Sequence, residues 1–171
     1  IKEGIENTNY FIQTKKGKFI LTLYEKRVEK KDLPFFMNLM RNLYDKKFPS
    51  PEPIINKNGN YISDILGKKA AVVSFLEGLS KKELNPNDCH EIGVYSAKLH
   101  SITKNLTGKR KNKLSINSWR TIYNKVKKDC FKIHPNLINV IEKNLDEIER
   151  NWPKNIPSGI IHADLFPDNI F

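Results

Sequence analysis

The sequence predicts an α+β fold of two lobes, in which a small antiparallel sheet with one helix precedes a mainly helical lobe. Two patterns lead to this prediction. The first third of the 171 residues is rich in β-branched and aromatic runs, whereas the rest has apolar residues at helical spacing. Gly78 can turn the chain between them. We therefore predict an N-terminal lobe over 1–76 and a C-terminal lobe over 77–171.

The first lobe contains the predicted strands and one helix. Apolar runs bounded by turn residues predict four strands, the first two joined by a turn at Gly17: 10–12, 19–24, 61–63 and 70–75. Apolar residues at three- and four-residue spacing predict an amphipathic helix over 32–47, with Asp32 as its N-cap. The prolines from Pro49 onward end this helix, because proline cannot continue it.

The second lobe contains three predicted helices. Asn87 or Asp88 can cap the first helix, whose apolar stripe runs over 92–102. Another stripe covers 137–148, and a further helix is predicted over 115–130. Both stripes are predicted to face a core.

The chain is basic, with 30 Lys and Arg against 19 Asp and Glu and a formal net charge of +11. A basic face could bind nucleic acid by releasing counterions from phosphates. Most of the basic residues are lysines, however, and they are scattered rather than gathered with aromatics into a stripe. The one dense basic run, at 109–113, is therefore predicted to be a solvated loop. It is also the segment that best supports the alternative hypothesis of nucleic-acid binding.

Hydropathy and cysteine usage favour the cytoplasm. Polar residues interrupt every apolar stretch, so no membrane span is predicted. Cys89 and Cys130 lack metal-ligand spacing, which suits a reducing compartment better than a disulfide scaffold or a zinc site. The sequence begins with Ile1 rather than Met, and no signal-peptide pattern follows, so we expect that the true N-terminus is missing.

The most informative segment is 160–170, which contains the pattern H-x-D-L-x-x-D-N between apolar pairs. Asp164 and Asn169 have the spacing of a catalytic loop in which Asp accepts a proton from an attacking hydroxyl and Asn binds Mg²⁺. Carboxylate and amide oxygens are hard ligands that suit magnesium. An ordinary surface turn is the alternative, since His, Asp, Asn and Pro all favour turns.

With this loop behind a β-rich lobe and a helical lobe, the chain resembles the aminoglycoside-phosphotransferase-like kinases, small-molecule relatives of protein kinases. More specific segments resemble the homoserine kinase branch of that superfamily: 4–11, 17–25, 32–36, 51–53, 75–78, Leu99-His100, and Asn112 with Trp119. These segments span nearly the whole chain.

The resemblance implies a bilobal protein-kinase-like fold with ATP between the lobes. Asp164 would be the catalytic base, Asn169 a Mg²⁺ ligand and His162 a structural brace for the loop. The segment 75–77 would be the hinge whose backbone reads the adenine edge. The implied contacts to the nucleotide are Asn7, Thr8, Asn9, Thr22, Phe75, Leu76 and Glu77.

The sequence also departs from the kinase pattern. Thr22 stands where the third strand normally carries a lysine that contacts the α- and β-phosphates, so Lys26, Arg27 or a magnesium ion would take over that task. Ala163 stands where glycine or arginine is common, and its small methyl group is expected to be tolerated. A second metal ligand, an aspartate beyond the catalytic loop, is not among the residues up to Phe171. We therefore expect a piece of a longer kinase, inactive by itself.

The implied reaction is ATP-dependent phosphorylation of the side-chain hydroxyl of L-homoserine to O-phosphohomoserine, on the route to threonine. Arg110, Arg120 or Lys113 would be candidates to hold the substrate carboxylate. Choline, aminoglycoside or methylthioribose kinases are the alternatives within the superfamily, although the net positive charge disfavours cationic substrates. A non-catalytic basic binding module is the alternative of another class, and the sequence predicts no oligomeric state.

Overall fold

The computed structural model describes residues 2–3, 7–25, 29–81, 83–108 and 110–170. The predicted α+β class is confirmed. The strands and helices follow one another along the chain as β1 (Lys2–Glu3), β2 (Asn7–Thr14), β3 (Gly17–Tyr24), α1 (Leu33–Asp45), β4 (Ile62–Ile65), β5 (Lys68–Ser74), α2 (Pro86–Thr103), α3 (Ile116–Val126), α4 (Cys130–Ile133) and α5 (Leu137–Asn151).

The strands form one antiparallel sheet of five strands in the order β1-β2-β3-β5-β4. Strands β2 and β3 are a hairpin whose register pairs Thr14 with Gly17 and Asn9 with Thr22. Gly17 has φ +135°, a conformation that glycine adopts without steric cost. All four predicted strands are present, because alternating β-branched residues and the intervening turns define them locally.

Helix α1 confirms the predicted amphipathic helix, with Asp32 at the predicted N-cap position. A 3₁₀ turn, Lys30–Asp32, leads directly into the helix, so Asp32 already has helical backbone angles and its side chain makes no capping hydrogen bond. The buried face of the helix consists of Leu33, Met37 and Leu43. Burial of this apolar face, rather than a cap, therefore holds the start of α1.

Helix α2 begins earlier than the sequence predicted. Asn85, not Asn87 or Asp88, is the N-cap: its side-chain oxygen accepts from the Asp88 amide, and the Asp88 carboxylate accepts from the Asn85 amide, both at 3.1 Å. This reciprocal pair is a capping box, with Pro86 tolerated in the first turn. The predicted stripe is only half-buried, and Tyr95 within it is exposed.

The predicted helix over 115–130 is interrupted. It ends as α3 at Val126, and a 3₁₀ turn, Lys127–Asp129, connects it to the short α4. Tyr123, Cys130 and Leu145 are buried together, and Trp119, Leu137, Ile138 and Ile141 pack against them. The predicted core face of α5 is thus confirmed, because its apolar stripe supplies most of this cluster.

Contacts divide the chain into two compact units, one formed by Ile1–Lys109 with Gly159–Phe171 and the other by Arg110–Ser158. The segment with Asp164 and Asn169 therefore belongs to the same unit as the sheet, although the helices α2 to α5 separate them in sequence. The boundary between lobes at 76/77 stays a prediction.

The structure also bears on the predictions about membrane spans and cysteines. Within the described ranges, no helix combines the length and apolar character needed to cross a membrane. The two cysteines are free thiols, with Cys89 exposed and Cys130 buried in the helical unit.

Candidate active site

The segment after Gly159 has no regular structure until a single 3₁₀ turn, Pro167–Asn169. The Asn169 amide donates to the Phe166 carbonyl at 2.9 Å and closes this turn. Pro167 sits at its start, where its missing N–H costs nothing. The turn brings the side chain of Asn169 back toward Asp164.

Asp164 and Asn169 are in direct contact. The Asn169 side-chain nitrogen Nδ2 donates to the backbone carbonyl of Asp164 at 3.0 Å and to its carboxylate oxygen Oδ2 at 2.9 Å. Nδ1 of His162 accepts from the backbone amide of Asp164 at 3.3 Å. His162 therefore braces the loop through its ring, as expected from the resemblance, and the two predicted site residues are held together.

Ala163 lies between His162 and Asp164 in the sequence and has φ +65°, in the left-handed region. An L-residue other than glycine pays about 1–2 kcal/mol for this conformation. The sequence predicts that the small methyl group of Ala163 is tolerated. The conformational free energy that Ala163 costs arises from its backbone angle φ. Ala163 directly precedes the candidate base, and a strained backbone conformation of this kind persists only where the surrounding structure holds it.

The contacts at Asp164 and Asn169 leave oxygens available. Both residues are exposed, and the side-chain oxygen Oδ1 of Asn169 has no hydrogen bond to any described residue. Asn169 contacts the Asp164 carboxylate through Nδ2, and its Oδ1 is a hard oxygen ligand of the kind that Mg²⁺ prefers. The residues present thus fit a divalent cation in donor type, although no group of three His, Cys, Asp or Glu side chains with metal-binding geometry occurs in the described part of the chain.

The predicted phosphate-side residues lie on β2 and β3. The Thr22 hydroxyl donates to Oδ1 of Asn9 at 2.8 Å, directly across the hairpin. The Thr8 hydroxyl donates to Glu25 at 3.2 Å, and this carboxylate also accepts from Lys68. Asn9 and Thr22 share one face of the sheet, whereas Thr8 belongs to the opposite face. Gly4–Glu6, Lys26 and Arg27 lie outside the described residues.

Asn7 carries an unusual polar atom. Its side-chain oxygen Oδ1 is fully buried and has no hydrogen-bond partner among the described residues. Oδ1 of Asn42 in α1 is likewise fully buried and without a hydrogen-bond partner among the described residues. A buried acceptor without a partner costs about 1–3 kcal/mol, so both atoms need explanation.

The predicted hinge is tied to the start of β3. The Phe75 amide donates to the Lys18 carbonyl at 3.0 Å, and the Lys18 ammonium donates to the Glu77 carboxylate at 2.5 Å. This hydrogen bond, together with the positive charge of Lys18, lowers the pKa of Glu77 below its ordinary 4.5. No backbone hydrogen bond of Leu76 or Glu77 is found within the described residues, so these backbone groups are available to a ligand.

Sequence reasoning missed two of these contacts. The Asn9–Thr22 bond had a readable signal, because counting back equally from the turn at Lys15-Lys16 places the two residues opposite each other. The Lys18–Glu77 pair had none, since its partners are 59 positions apart. Asn42 was also missed.

Comparison with known proteins gives a consistent result. The model of the phosphotransferase enzyme family (APH) matches residues 1–171. Homoserine kinases of Beijerinckia indica and Mesorhizobium japonicum are each 43% identical to the chain, over 99% and 100% of it, and in both cases over 53% of the relative. A homoserine kinase of Bartonella tribocorum is 43% identical over 100% of the chain and 54% of its own length. The chain thus spans about half the length of the curated relatives it matches.

A solved structure of a small-molecule kinase resembles the fold. It is an amicoumacin kinase in complex with AMP-PNP, Ca²⁺ and Ami, with a TM-score of 0.55 and 16% sequence identity over 77% of this chain and 46% of that one. This likeness confirms the kinase-like fold that the sequence implied. Because the family model matches the chain from end to end, the chain belongs to the phosphotransferase enzyme family.

Proposed function

We propose that the protein containing this chain transfers the γ-phosphoryl group of ATP, with Mg²⁺, to the side-chain hydroxyl of L-homoserine. The product would be O-phosphohomoserine, an intermediate on the route to threonine. The observation that carries this proposal is the contact of Asn169 with the carboxylate of Asp164. The names of the relatives at about 43% identity support homoserine as the substrate.

Asp164 is the proposed catalytic base. Its exposed carboxylate accepts one hydrogen bond from Asn169 through Oδ2, which leaves Oδ1 to orient the hydroxyl of the substrate and accept its proton. The brace from His162 to the backbone amide keeps the residue in place without using the carboxylate. A fixed carboxylate with one free oxygen is what proton acceptance from an alcohol requires.

Asn169 is the proposed ligand to Mg²⁺ through Oδ1. When bound, the cation neutralises charge that develops on the phosphates during transfer. Mg²⁺ usually takes only one or two protein ligands and completes its octahedron with water and phosphate oxygens, so a single amide oxygen is a sufficient contribution from this loop. The use of Nδ2 toward Asp164 orients Oδ1 away from the base.

The nucleotide is proposed to bind along β2, β3 and the hinge. Phe11, next to Asn9 on the same face of β2, contacts the ring of Phe75 edge to face, with ring centroids 5.2 Å apart. These rings offer an apolar surface to a base, and the backbone of Leu76 and Glu77 offers polar groups to its edge. Asn7 and Asn9 are the proposed side chains on the phosphate side; Thr8, whose side chain belongs to the opposite face, is proposed to contribute through its backbone only.

Arg120 is a poor candidate for holding the substrate carboxylate. Its guanidinium donates to Asp146 at 2.7 Å and to both oxygens of Glu149, and these contacts raise its pKa further above its ordinary value. A substrate would have to displace two carboxylates that are already paired with it. Other small-molecule kinases of the family, for choline, aminoglycosides or methylthioribose, remain the second candidate.

The proposal is tested by ADP release from the full-length protein with Mg-ATP and a panel of homoserine, choline, kanamycin and methylthioribose. Asp164→Asn is the test variant, and Asp129→Asn, an exposed carboxylate that pairs with Lys132, is its matched control. Homoserine-dependent release that Asp164→Asn lowers at least ~100-fold, with the control unchanged, would support both the substrate and the base.

The other outcomes separate the parts of the proposal. Turnover with a different alcohol in the panel would keep Asp164 as the base and reject homoserine. Full activity of Asp164→Asn would reject the base. If no substrate released ADP while the protein bound DNA in a salt-sensitive manner, the basic binding module would be favoured instead.

A further inference from the structure

One face of the sheet changes from apolar to polar with distance from the hinge. Nearest to Phe75, the cross-strand row consists of Phe11, Ile20 and Val73. The next row on the same face, about 7 Å further along the strands, consists of Asn9, Thr22 and Ala71. A nucleotide whose base lies on the first row would therefore extend its phosphates over the second.

The contact within the second row orients an amide. Thr22 donates its hydroxyl hydrogen to Oδ1 of Asn9, so the opposite end of that amide, Nδ2, is the remaining donor. Nδ2 makes no hydrogen bond to any residue that the structure describes. A hydroxyl can donate or accept, so Thr22 fixes the place of the amide, and a phosphate, which only accepts, selects the orientation with Nδ2 toward it.

We propose that Thr22 is a positioning residue that aims Nδ2 of Asn9 at the nucleotide phosphates, so that a neutral amide takes the place of the strand lysine. This inference rests on the proposed function, because it requires that the protein bind ATP. It differs from the initial expectation, in which Thr22 itself touched the nucleotide and another cation replaced the lysine. The donor is the amide of Asn9, and Thr22 acts through it.

The test compares the binding of Mg-ATP with that of adenosine to the full-length protein by calorimetry. Asn9→Asp keeps an acceptor for Thr22 but replaces the NH₂ donor with a negative charge. We expect it to weaken Mg-ATP at least ~30-fold, the range for loss of a charged hydrogen bond, and to leave adenosine within about twofold. Thr22→Val should weaken Mg-ATP about fivefold to tenfold by releasing the amide, and Thr22→Ser should restore it.

Two matched controls come from the same sheet and its turns. Thr14→Val removes a hydroxyl at the other end of the hairpin, and Asn60→Asp adds a carboxylate in an exposed turn, so both should bind Mg-ATP as the wild type does. Thr22→Lys should bind Mg-ATP with a steeper salt dependence, since it restores an ammonium. Thermal unfolding of every variant reports whether the hairpin still folds, and the contrast between Thr22→Val and Thr22→Ser carries the test if Asn9→Asp does not fold.

Three results would overturn the inference. Mg-ATP affinity unchanged in both Asn9→Asp and Thr22→Val would mean that the contact only joins two strands. An equal loss of ATP and adenosine would mean that the variants damage the whole face rather than the phosphate site. In either case the proposed function would stand as long as the wild-type protein binds Mg-ATP and phosphorylates homoserine. A wild-type protein that binds no nucleotide would reject both the inference and the proposed function.

Discussion

Nδ2 of Asn169 donates to both the carbonyl and the carboxylate of Asp164, so one side chain controls the position of the candidate base. The two residues are five positions apart, and the 3₁₀ turn at Pro167–Asn169 closes the distance between them. Replacing either residue therefore changes the site in two ways, through the chemistry of the lost group and through the geometry of its neighbour.

Asn169→Ala should raise the Mg²⁺ concentration needed for half-maximal activity of the full-length protein and should also lower kcat. The first effect follows from the loss of Oδ1, and the second from the loss of two hydrogen bonds to Asp164. A loss of one metal-ligand contact or its support typically costs about 10–100-fold in metal affinity or activity. A magnesium titration of ADP release measures both, and an unchanged magnesium requirement would remove Asn169 from the metal site.

Ala163→Gly should stabilise the protein by up to about 1 kcal/mol, because glycine accepts the φ of +65° without the steric cost that alanine pays. Ala97→Gly is the matched control with the opposite sign, since Ala97 is exposed within α2 and glycine costs about 1 kcal/mol in a helix interior. Urea unfolding compares the two. Destabilisation by Ala163→Gly would show that entropy lost at glycine outweighs the strain.

Glu77→Gln should weaken the attachment of the hinge to β3 at neutral pH and have no effect in acid. The lowered pKa of Glu77 means that the ion pair with Lys18 stabilises the folded state above the unfolded value of 4.5, and that this contribution is lost as pH falls through the folded value. Hydrogen exchange at the Phe75 amide, which donates to Lys18, reports the local opening.

Lys18→Met is the partner variant in a double-mutant cycle with Glu77→Gln. If the ion pair holds the hinge, the effects of the two changes on Phe75 exchange should not add at neutral pH but should become independent once the pH has fallen below the lowered pKa of Glu77. If the exchange rates of the Phe75 amide in wild type and variants differed by the same factor at neutral and acid pH, the ion pair of Lys18 with Glu77 would not be what holds the hinge. Added salt should reduce the effect as acid does, because the pair is exposed.

Asn85→Ala should lower the free energy of unfolding by about 1 kcal/mol, because it removes the acceptor that caps α2. Ser115→Ala is the matched control: Ser115 occupies the N-cap of α3, yet its side chain makes no capping hydrogen bond. We expect little change from this control in urea unfolding. Equal losses from both variants would mean that residue type at the N-cap, rather than the observed capping box, determines the stability of these helices.

The sequence by itself determined the order of most elements, and it singled out Asp164 as the proposed base and Asn169 as the proposed metal ligand. Strand alternation and helical spacing are local patterns, so the four strands and the helix over Leu33–Asp45 appear where they were expected, whereas the predicted helix over 115–130 is divided. The turn at Gly17 also set the hairpin register, and with it the pairing of Asn9 with Thr22. Asp164 and Asn169 could be predicted because a tight turn joins residues so close in sequence.

Only the tertiary structure decided the contacts between distant residues and the details of the backbone. The ion pair of Lys18 with Glu77 depends on how the chain after β5 returns to β3, and no local pattern encodes that path. The cap of α2 moved to Asn85 because several neighbouring residues can cap a helix and the backbone selects one of them. The positive φ of Ala163 and the buried oxygen of Asn7 likewise follow from their surroundings, since neither residue type requires its conformation by itself.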